Sequence, residues 1–144
     1  MTSFFWLTVM LGRLIAIRAL PRLGDIGLLV TCVLAAALGI GGVLVSSLMP
    51  SLVWGGVALV GLGFGPIFPT VLGVGTGRFP AFAGMISSLM IASGSVGAMV
   101  LPWAAGALIP RLGFAGSMAL SFITLALMLC CLGVISRHGD PSQA

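Results

Sequence analysis

Charged residues are scarce in this sequence. Only 6% of its 144 residues are Asp, Glu, Lys or Arg, none is lysine, and the formal net charge is +4. Soluble domains carry about 25% charged residues, so this chain cannot coat a water-soluble globule with charge. Hydrophobic residues make up 60% of the chain, and the mean hydropathy is +1.30. The composition predicts an integral membrane protein, whose arginines bear on orientation in a bilayer rather than on nucleic-acid binding.

Residues with catalytic or metal-binding chemistry are also scarce. Cys32, Cys130 and Cys131 lie in apolar runs without ligand spacing, and the one histidine, His138, lies in a polar tail. The sequence shows no paired carboxylates, no Ser–His–Asp set and no phosphate-binding loop. We therefore expect no enzyme activity, no cofactor and no metal site. The predicted spans hold no Asp, Glu, Lys or His, so a proton-coupling side chain would have to lie elsewhere.

Five apolar runs are long enough to cross the hydrocarbon core of a bilayer, which takes about 20 helical residues. They lack the alternation of polar and apolar residues that marks barrel strands. The predicted fold is therefore an all-α, polytopic bundle of five transmembrane helices, residues 1–137, followed by a polar cytoplasmic tail, 138–144. The runs, named a to e, cover residues 3–20, 26–48, 51–76, 81–109 and 113–136.

The arginines outside the centres of the runs predict an orientation. Four of them fall on one side if all five runs span, and Arg111 alone falls on the other; the four are Arg18, Arg22, Arg78 and Arg137. The positive-inside rule then places the a–b loop, the c–d loop and the C-terminus in the cytoplasm. Run a would begin outside, and the N-terminal stretch lacks the basic region that precedes the apolar part of a signal peptide. We expect a C-terminal piece of a longer protein; the alternative is an intact small protein with an external N-terminus.

One short motif occurs twice. "LPRLG" ends run a at positions 20–24, and "IPRLG" ends run d at 109–113. Runs a and d are three helices apart and would cross in opposite directions, which is the arrangement of inverted three-helix repeats in transporters. The alternative is that the motif only marks the ends of two helices, as proline and glycine often do, without any internal repeat.

Run c is interrupted by prolines and glycines. Pro66 and Pro69 lack the backbone N–H, so the carbonyls of Leu62 and Gly65, four residues earlier, lose their helical donors. The pairs Gly61/Gly65 and Gly73/Gly77 have the GxxxG spacing of closely packed helices. Such a helix either lines a cavity or packs tightly without contacting a solute. Runs b and e hold no charge or internal proline, and we expect them to face lipid.

Run d and Arg13 supply the remaining polar candidates. Run d carries Ser93 and Ser95 beside Gly94 and Gly97, with Pro102 bending its outer third. The serines can bond a polar ligand or a neighbouring helix. Arg13 is a charge inside a span, where it costs about 2.5–3.5 kcal/mol on insertion scales. It is either a gate or ligand contact, or a side chain that extends to the cytoplasmic surface.

Three stretches resemble the C-terminal half of a major facilitator superfamily transporter, and most closely its fucose:proton symporter-like sugar permeases. "GRLIAIRALPRLG" (12–24) is similar to the eighth helix and the following loop, "GLGFGPIFPTVLGVG" (61–75) to the tenth helix, and "GSVGAMVLPWAAGALIPRLG" (94–113) to the eleventh. The resemblance implies helices eight to twelve of twelve, with runs a, c and d beside the central cavity. It also implies a cytoplasmic loop motif of Gly12, Arg13, Arg18 and Arg22, in which Ala16 replaces the usual acidic residue.

These observations together predict part of a secondary transporter that moves a small solute, such as a sugar, by alternating access. The expected location is the bacterial inner membrane, and the expected partners are the lipid bilayer, the missing N-terminal helices and the solute. A non-transporting membrane subunit that packs through its GxxxG faces is the alternative. Candidate solute contacts are Arg13, Phe68, Thr70, Ser93 and Ser95. Residues expected to shape the helices are Pro66, Pro69, Gly94, Gly97 and Pro102.

Overall fold

The computed structural model describes residues 2–46 and 51–138, and for residues 112, 114, 115 and 136–138 it describes the backbone alone. The described chain is helical and holds no strand, so the predicted all-α class is confirmed. Helix α1 covers Thr2–Val45, α2 covers Leu52–Arg78, and α3 covers Ala83–His138 after a single 3-10 turn at Pro80–Phe82. Apart from His138, where α3 ends, the predicted polar tail lies outside the described residues.

Four helical stretches of the described chain are long and apolar enough to span a membrane, so the predicted five separate spans are wrong in number. The four are Thr2–Val45, Leu52–Arg78, Pro80–Arg111 and Gly116–Ile135. Runs a and b both lie in the stretch Thr2–Val45, as two helical limbs joined directly across the non-helical backbone of Gly24 without an intervening loop. At about 1.5 Å per residue, α1 would be about 66 Å long if straight.

Helices α1 and α3 each bend back at a glycine. Gly24 (φ 67°, ψ 172°) and Gly113 (φ 69°, ψ −177°) interrupt the helical geometry, and each is the last residue of a "PRLG" motif. This backbone conformation is accessible essentially only to glycine. The chain reverses there: Ala16 packs with Leu28 and Cys32 from beyond the first bend. Beyond the second bend, the Ser117 hydroxyl donates to the Ala105 carbonyl (2.9 Å). The two motifs thus make the same backbone turn.

Helix α2 lies between the two limbs of α1, and its glycines allow the close approach. A Cβ built on Gly61 would contact Thr8, and one on Gly65 would contact the Val9 carbonyl, so these two glycines face the first limb. A Cβ on Gly63 would lie 2.5 Å from the Cys32 carbonyl oxygen of the second limb. The GxxxG prediction is confirmed for Gly61/Gly65. It is not borne out at Gly73/Gly77, where a Cβ would meet nothing within 4 Å.

The order of these contacts shows which ends of the helices lie together. The first limb of α1 runs parallel to α2, since Phe5 and Val9 approach Gly61 and Gly65 in turn. The Gly24 bend therefore lies at the same end of the bundle as Arg78. The first limb of α3 runs antiparallel to α2, because Gly75 approaches Ile86 while Phe68 approaches Gly94. The second "PRLG" turn consequently lies at the opposite end from the first.

The second limb of α1, which corresponds to run b, supplies most of the apolar core. Its residues Leu29, Val33, Ala36 and Ile40 are buried and pack with Leu125 and Leu132 of the second limb of α3. The expectation that run b faces lipid therefore applies only to its outer face, where Leu34 and Leu38 are exposed. By contrast, no residue of Pro80–Arg111 is buried. The first limb of α3 is thus the most loosely packed part of the described bundle.

Candidate functional site

Arg13 contacts the carbonyl that Pro69 leaves without a helical donor. Its Nε donates a hydrogen bond to the Gly65 carbonyl oxygen at 3.1 Å. Proline at position 69 has no N–H for this carbonyl, and the guanidinium of the neighbouring helix takes the place of the missing donor. The proline-freed carbonyl and the charge inside a span were separate features of the sequence, and the structure brings them together.

The contact lies halfway along the bundle. Gly65 is the middle residue of the 27-residue α2, about 20 Å from either end at about 1.5 Å per residue. Arg13 also lies near the middle of its own limb, which extends from Thr2 to the bend at Gly24. The alternative that Arg13 extends along the helix to the surface therefore does not describe this structure, because its Nε is bound at mid-helix.

The terminal nitrogens of Arg13 have no hydrogen-bond partner among the described residues, and the residue as a whole is exposed. The only acidic residue in the described chain is Asp25, which lies beside the bend at Gly24. Arg13 and Asp25 are about 18 Å apart along the helix at about 1.5 Å per residue. Halfway along the bundle, the guanidinium thus bonds a backbone carbonyl and has no carboxylate of the described chain close to it along the helix.

Gly12 lies against the carbonyl that Pro66 leaves without a helical donor. A Cβ at Gly12 would lie 2.5 Å from the Leu62 oxygen and 2.9 Å from its Cα, so the two backbones meet at this point. Gly12 and Arg13 together cover both proline-freed carbonyls of α2. They lie at mid-helix, whereas Arg18 and Arg22 are exposed near the bend. Within the predicted loop motif, Gly12 and Arg13 therefore contact α2, whereas Arg18 and Arg22 lie near the bend.

Ala16 is a small apolar residue at the position where the resemblance would place an acidic one. It is buried and packs with Leu28, Cys32 and Ile67. A carboxylate at this buried position would be desolvated, which is costly. The small apolar side chain instead allows the two limbs of α1 to pack next to the bend.

A shallow groove opens between α2 and the first limb of α3, with a volume of about 310 Å³. Its lining includes three predicted site residues, Phe68, Ser93 and Gly94. The Phe68 Cε2 atom lies 3.9 Å from a Cβ built on Gly94, which is an ordinary van der Waals distance and places the ring beside this glycine. The Ser93 hydroxyl donates to the Met90 carbonyl (3.0 Å), which leaves its oxygen able to accept from a ligand. The groove offers an aromatic face and one hydroxyl.

The remaining candidates lie outside both groups. Thr70 and Gly97 are half-buried, and Ser95 is exposed and donates to the Ile91 carbonyl of its own helix (2.9 Å). Pro102 lies on the exposed part of α3 beside Trp103, which is 74% exposed. The structure therefore collects the predicted residues around Gly65 and around Phe68, and it brings neither Thr70 nor Ser95 into these groups.

The groove also contains residues that the sequence did not single out. Val71, Leu72 and Met90 complete its lining. In a chain that is 60% hydrophobic, one more apolar residue carries no signal. The one available hint was helical spacing, because residues three and four positions from Phe68 share its helix face, as Val71 and Leu72 do.

Comparisons of the chain with protein-family models, with curated proteins and with solved structures found no match.

Proposed function

We propose that this chain is part of a secondary transporter, in which it forms one wall of a solute pathway that operates by alternating access. The observation that carries the proposal is the Arg13–Gly65 contact, a charge held on proline-broken backbone at the middle of an apolar bundle. Ionisable residues in spans mark substrate or ion pathways, and broken helices form the mid-membrane sites of transporters. A protein whose helices serve only to pack has no need of a guanidinium with unused N–H donors halfway along its spans.

The groove between α2 and α3 supplies the second part of the proposed pathway. Phe68 offers a ring face on which a ligand can stack, and Ser93 offers an accepting oxygen. Gly94 lies beside the ring and lines the same groove. We place the apolar or ring-shaped part of the solute here, and a sugar ring is one solute of this shape, as the resemblance to sugar permeases implies.

The orientation follows from the distribution of arginines between the two ends of the bundle. Arg18, Arg22 and Arg78 lie at the end that holds the first bend, and Arg111 lies toward the other end. We propose that the end with three arginines faces the cytoplasm of a bacterial inner membrane, with the C-terminus on the same side. The resemblance to the major facilitator superfamily assigns the rest of the pathway to preceding helices of a longer protein.

The proposal is tested by the water accessibility of the groove. A Ser93→Cys variant, in a background where Cys32, Cys130 and Cys131 are replaced by alanine, is treated with a charged thiol reagent. Whole cells and inside-out vesicles that carry the chain, with any segment encoded in frame ahead of it, are compared. We expect labelling from both sides, because alternating access exposes the site to each compartment in turn.

The matched control is Leu34→Cys in the same background, because Leu34 lies on the exposed outer face of α1 and would face lipid. It should stay unlabelled from both sides. Failure of Ser93→Cys to react from either side would contradict the proposed pathway.

For the chain alone we expect no saturable uptake in liposomes, since the described helices form one wall of the pathway. Saturable uptake would refute that expectation.

A scaffolding subunit without transport activity is the second candidate. It is favoured by the first limb of α3, where no residue of Pro80–Arg111 is buried and Met85, Leu89 and Met99 are exposed. A partner helix could cover this limb. Stable co-purification of a second membrane protein, together with an unreactive Ser93→Cys, would favour this function over transport.

A further inference from the structure

Arg13 points to the chemical class of the solute. We propose that the solute carries an oxyanion, a carboxylate or a phosphate, and that the terminal nitrogens of Arg13 bind it. The proposal rests on the proposed transport function and deepens it. The groove suggests only the shape of the solute, and Arg13 adds its charge.

The single hydrogen bond of Arg13 orients its free donors. Guanidinium is planar and has five N–H donors in a fixed fork. Nε uses its one N–H on the Gly65 carbonyl, a backbone atom at the middle of α2. This bond limits rotation of the guanidinium and leaves Nη1 and Nη2, whose four N–H groups have no partner among the described residues. Two parallel donors of this kind match the two oxygens of a carboxylate or phosphate.

The charge balance favours an anion over a neutral ligand. Arg is positively charged at neutral pH, and a charge at the middle of a membrane span is costly without a partner. Asp25, the one acid of the described chain, lies about 18 Å away along the helix, and lipid phosphates near the ends of α2 would be about 20 Å away. A bound oxyanion would supply the opposite charge that the described bundle lacks.

The neighbouring backbone adds no negative charge that would repel such a ligand. Gly12 covers the Leu62 carbonyl, so of the two proline-freed carbonyls one is packed and the other is bound to Nε. Of these two carbonyls, the guanidinium is hydrogen-bonded to that of Gly65. An anion can approach Nη1 and Nη2 from the exposed side of Arg13.

The test measures binding rather than transport. The full chain is reconstituted in phosphatidylcholine nanodiscs, and its thermal unfolding is followed by tryptophan fluorescence. D-Gluconate and D-glucose 6-phosphate are titrated against neutral D-glucose at constant ionic strength. We expect the two anions to raise the unfolding temperature in a saturable manner and glucose to have at least about tenfold weaker effect, since a hydrogen bond to a charged group contributes about 1.5–3 kcal/mol.

Arg13→Gln separates binding from folding. The amide nitrogen of Gln occupies the position of Nε in the side chain, so it can still donate to the Gly65 carbonyl, but the charge and the fork are gone. We expect an unfolding temperature close to that of the unchanged protein without ligand, and a loss of the anion response of at least about tenfold in apparent affinity. Arg18→Gln is the matched control, because Arg18 is exposed near the bend; it should keep the response.

Three outcomes would overturn the proposal. The first is an equal response to glucose and gluconate, and the second is an anion response that survives in Arg13→Gln. The third is stabilisation by phosphatidylglycerol in the nanodisc with no response to either soluble anion, which would make Arg13 a lipid headgroup site. Arg13-dependent anion binding in a protein whose Ser93→Cys variant is unreactive would leave the oxyanion site standing and remove the transport function. A reactive Ser93→Cys variant together with no anion response would keep the transport function and remove the oxyanion site.

Discussion

Two glycines of the same helix should respond in opposite ways to alanine. Gly63→Ala would place a methyl group 2.5 Å from the Cys32 carbonyl oxygen and 2.9 Å from the Ala36 amide nitrogen. Both are backbone atoms, so neither can rotate away, and α2 has to move off the second limb of α1 by about 1 Å to restore van der Waals distance. Gly73→Ala would place its methyl group in open space.

The magnitudes decide the sign at each position. Alanine is favoured over glycine in a helix interior by about 1 kcal/mol, and this gain applies equally at positions 63 and 73. Overpacking of a close contact costs about 1–3 kcal/mol and at times more. We therefore expect Gly63→Ala to destabilise the α1–α2 packing by up to about 2 kcal/mol, which is the overpacking cost less the gain in helix propensity. Gly73→Ala should stabilise it by up to about 1 kcal/mol.

Cys32 provides an internal reporter for this experiment. Its thiol is buried against α2, whereas Cys130 and Cys131 are exposed and can be replaced by serine. The rate at which a thiol reagent modifies Cys32 in detergent measures how often the interface opens. Gly63→Ala should raise this rate by up to about 30-fold, the equivalent of about 2 kcal/mol, whereas Gly73→Ala should not raise it. Equal rates in Gly63→Ala and Gly73→Ala would refute the claim that glycine at position 63 is needed for close approach.

Three further predictions concern the bend, the proline-freed carbonyl and the orientation. Gly24→Ala should destabilise the chain by about 1–3 kcal/mol in thermal unfolding, because alanine is strained at φ 67° even though a Cβ there meets no atom within 4 Å. Arg13→Ala should cost less in a Pro69→Ala background than alone, by about 1 kcal/mol in a double-mutant cycle, because alanine at position 69 restores a helical donor for the Gly65 carbonyl. Arg22→Cys and Arg78→Cys, each in a cysteine-free background, should react with an impermeant thiol reagent from the same side of the membrane, because both lie at one end of the bundle.

Each of these has a specific contradictory result. Gly41, where a Cβ also meets open space, is the control for the bend, and an equal effect of alanine at both positions would remove the argument from backbone conformation. Additive losses in the double-mutant cycle would show that Arg13 is not coupled to Pro69. Labelling of positions 22 and 78 from different compartments would contradict the parallel packing of α2 with the first limb of α1.

Much of the site could be predicted as separate parts. The prolines of run c imply two carbonyls without donors, since proline has no N–H wherever it lies. Arg13 stands out in a span because so few charges occur in the chain. That Nε of Arg13 bonds Gly65 could not be predicted, because nothing in the spacing along the chain specifies which residue of one helix faces which residue of another.

The two GxxxG pairs show the same limit in packing. Gly61/Gly65 and Gly73/Gly77 have identical spacing in one helix, yet only the first pair has a helix against it. Spacing places small residues on one face, and the neighbour that uses this face is chosen by the path of the whole chain. The loose packing of Pro80–Arg111 was equally beyond prediction, because its mean hydropathy of 1.7 is close to the 1.9 of α2, which packs against both limbs of α1.

The sequence by itself determined that the chain is helical and apolar, that it turns at two "PRLG" glycines, and that two carbonyls of α2 lack helical donors. Each of these follows from local chemistry: hydropathy, the conformational freedom of glycine and the missing N–H of proline. Only the tertiary structure decided that the two limbs of α1 join directly at Gly24, that α2 packs between them, and that Arg13 contacts Gly65 at mid-helix. These depend on contacts between residues far apart in the chain, which form only when the limbs pack together.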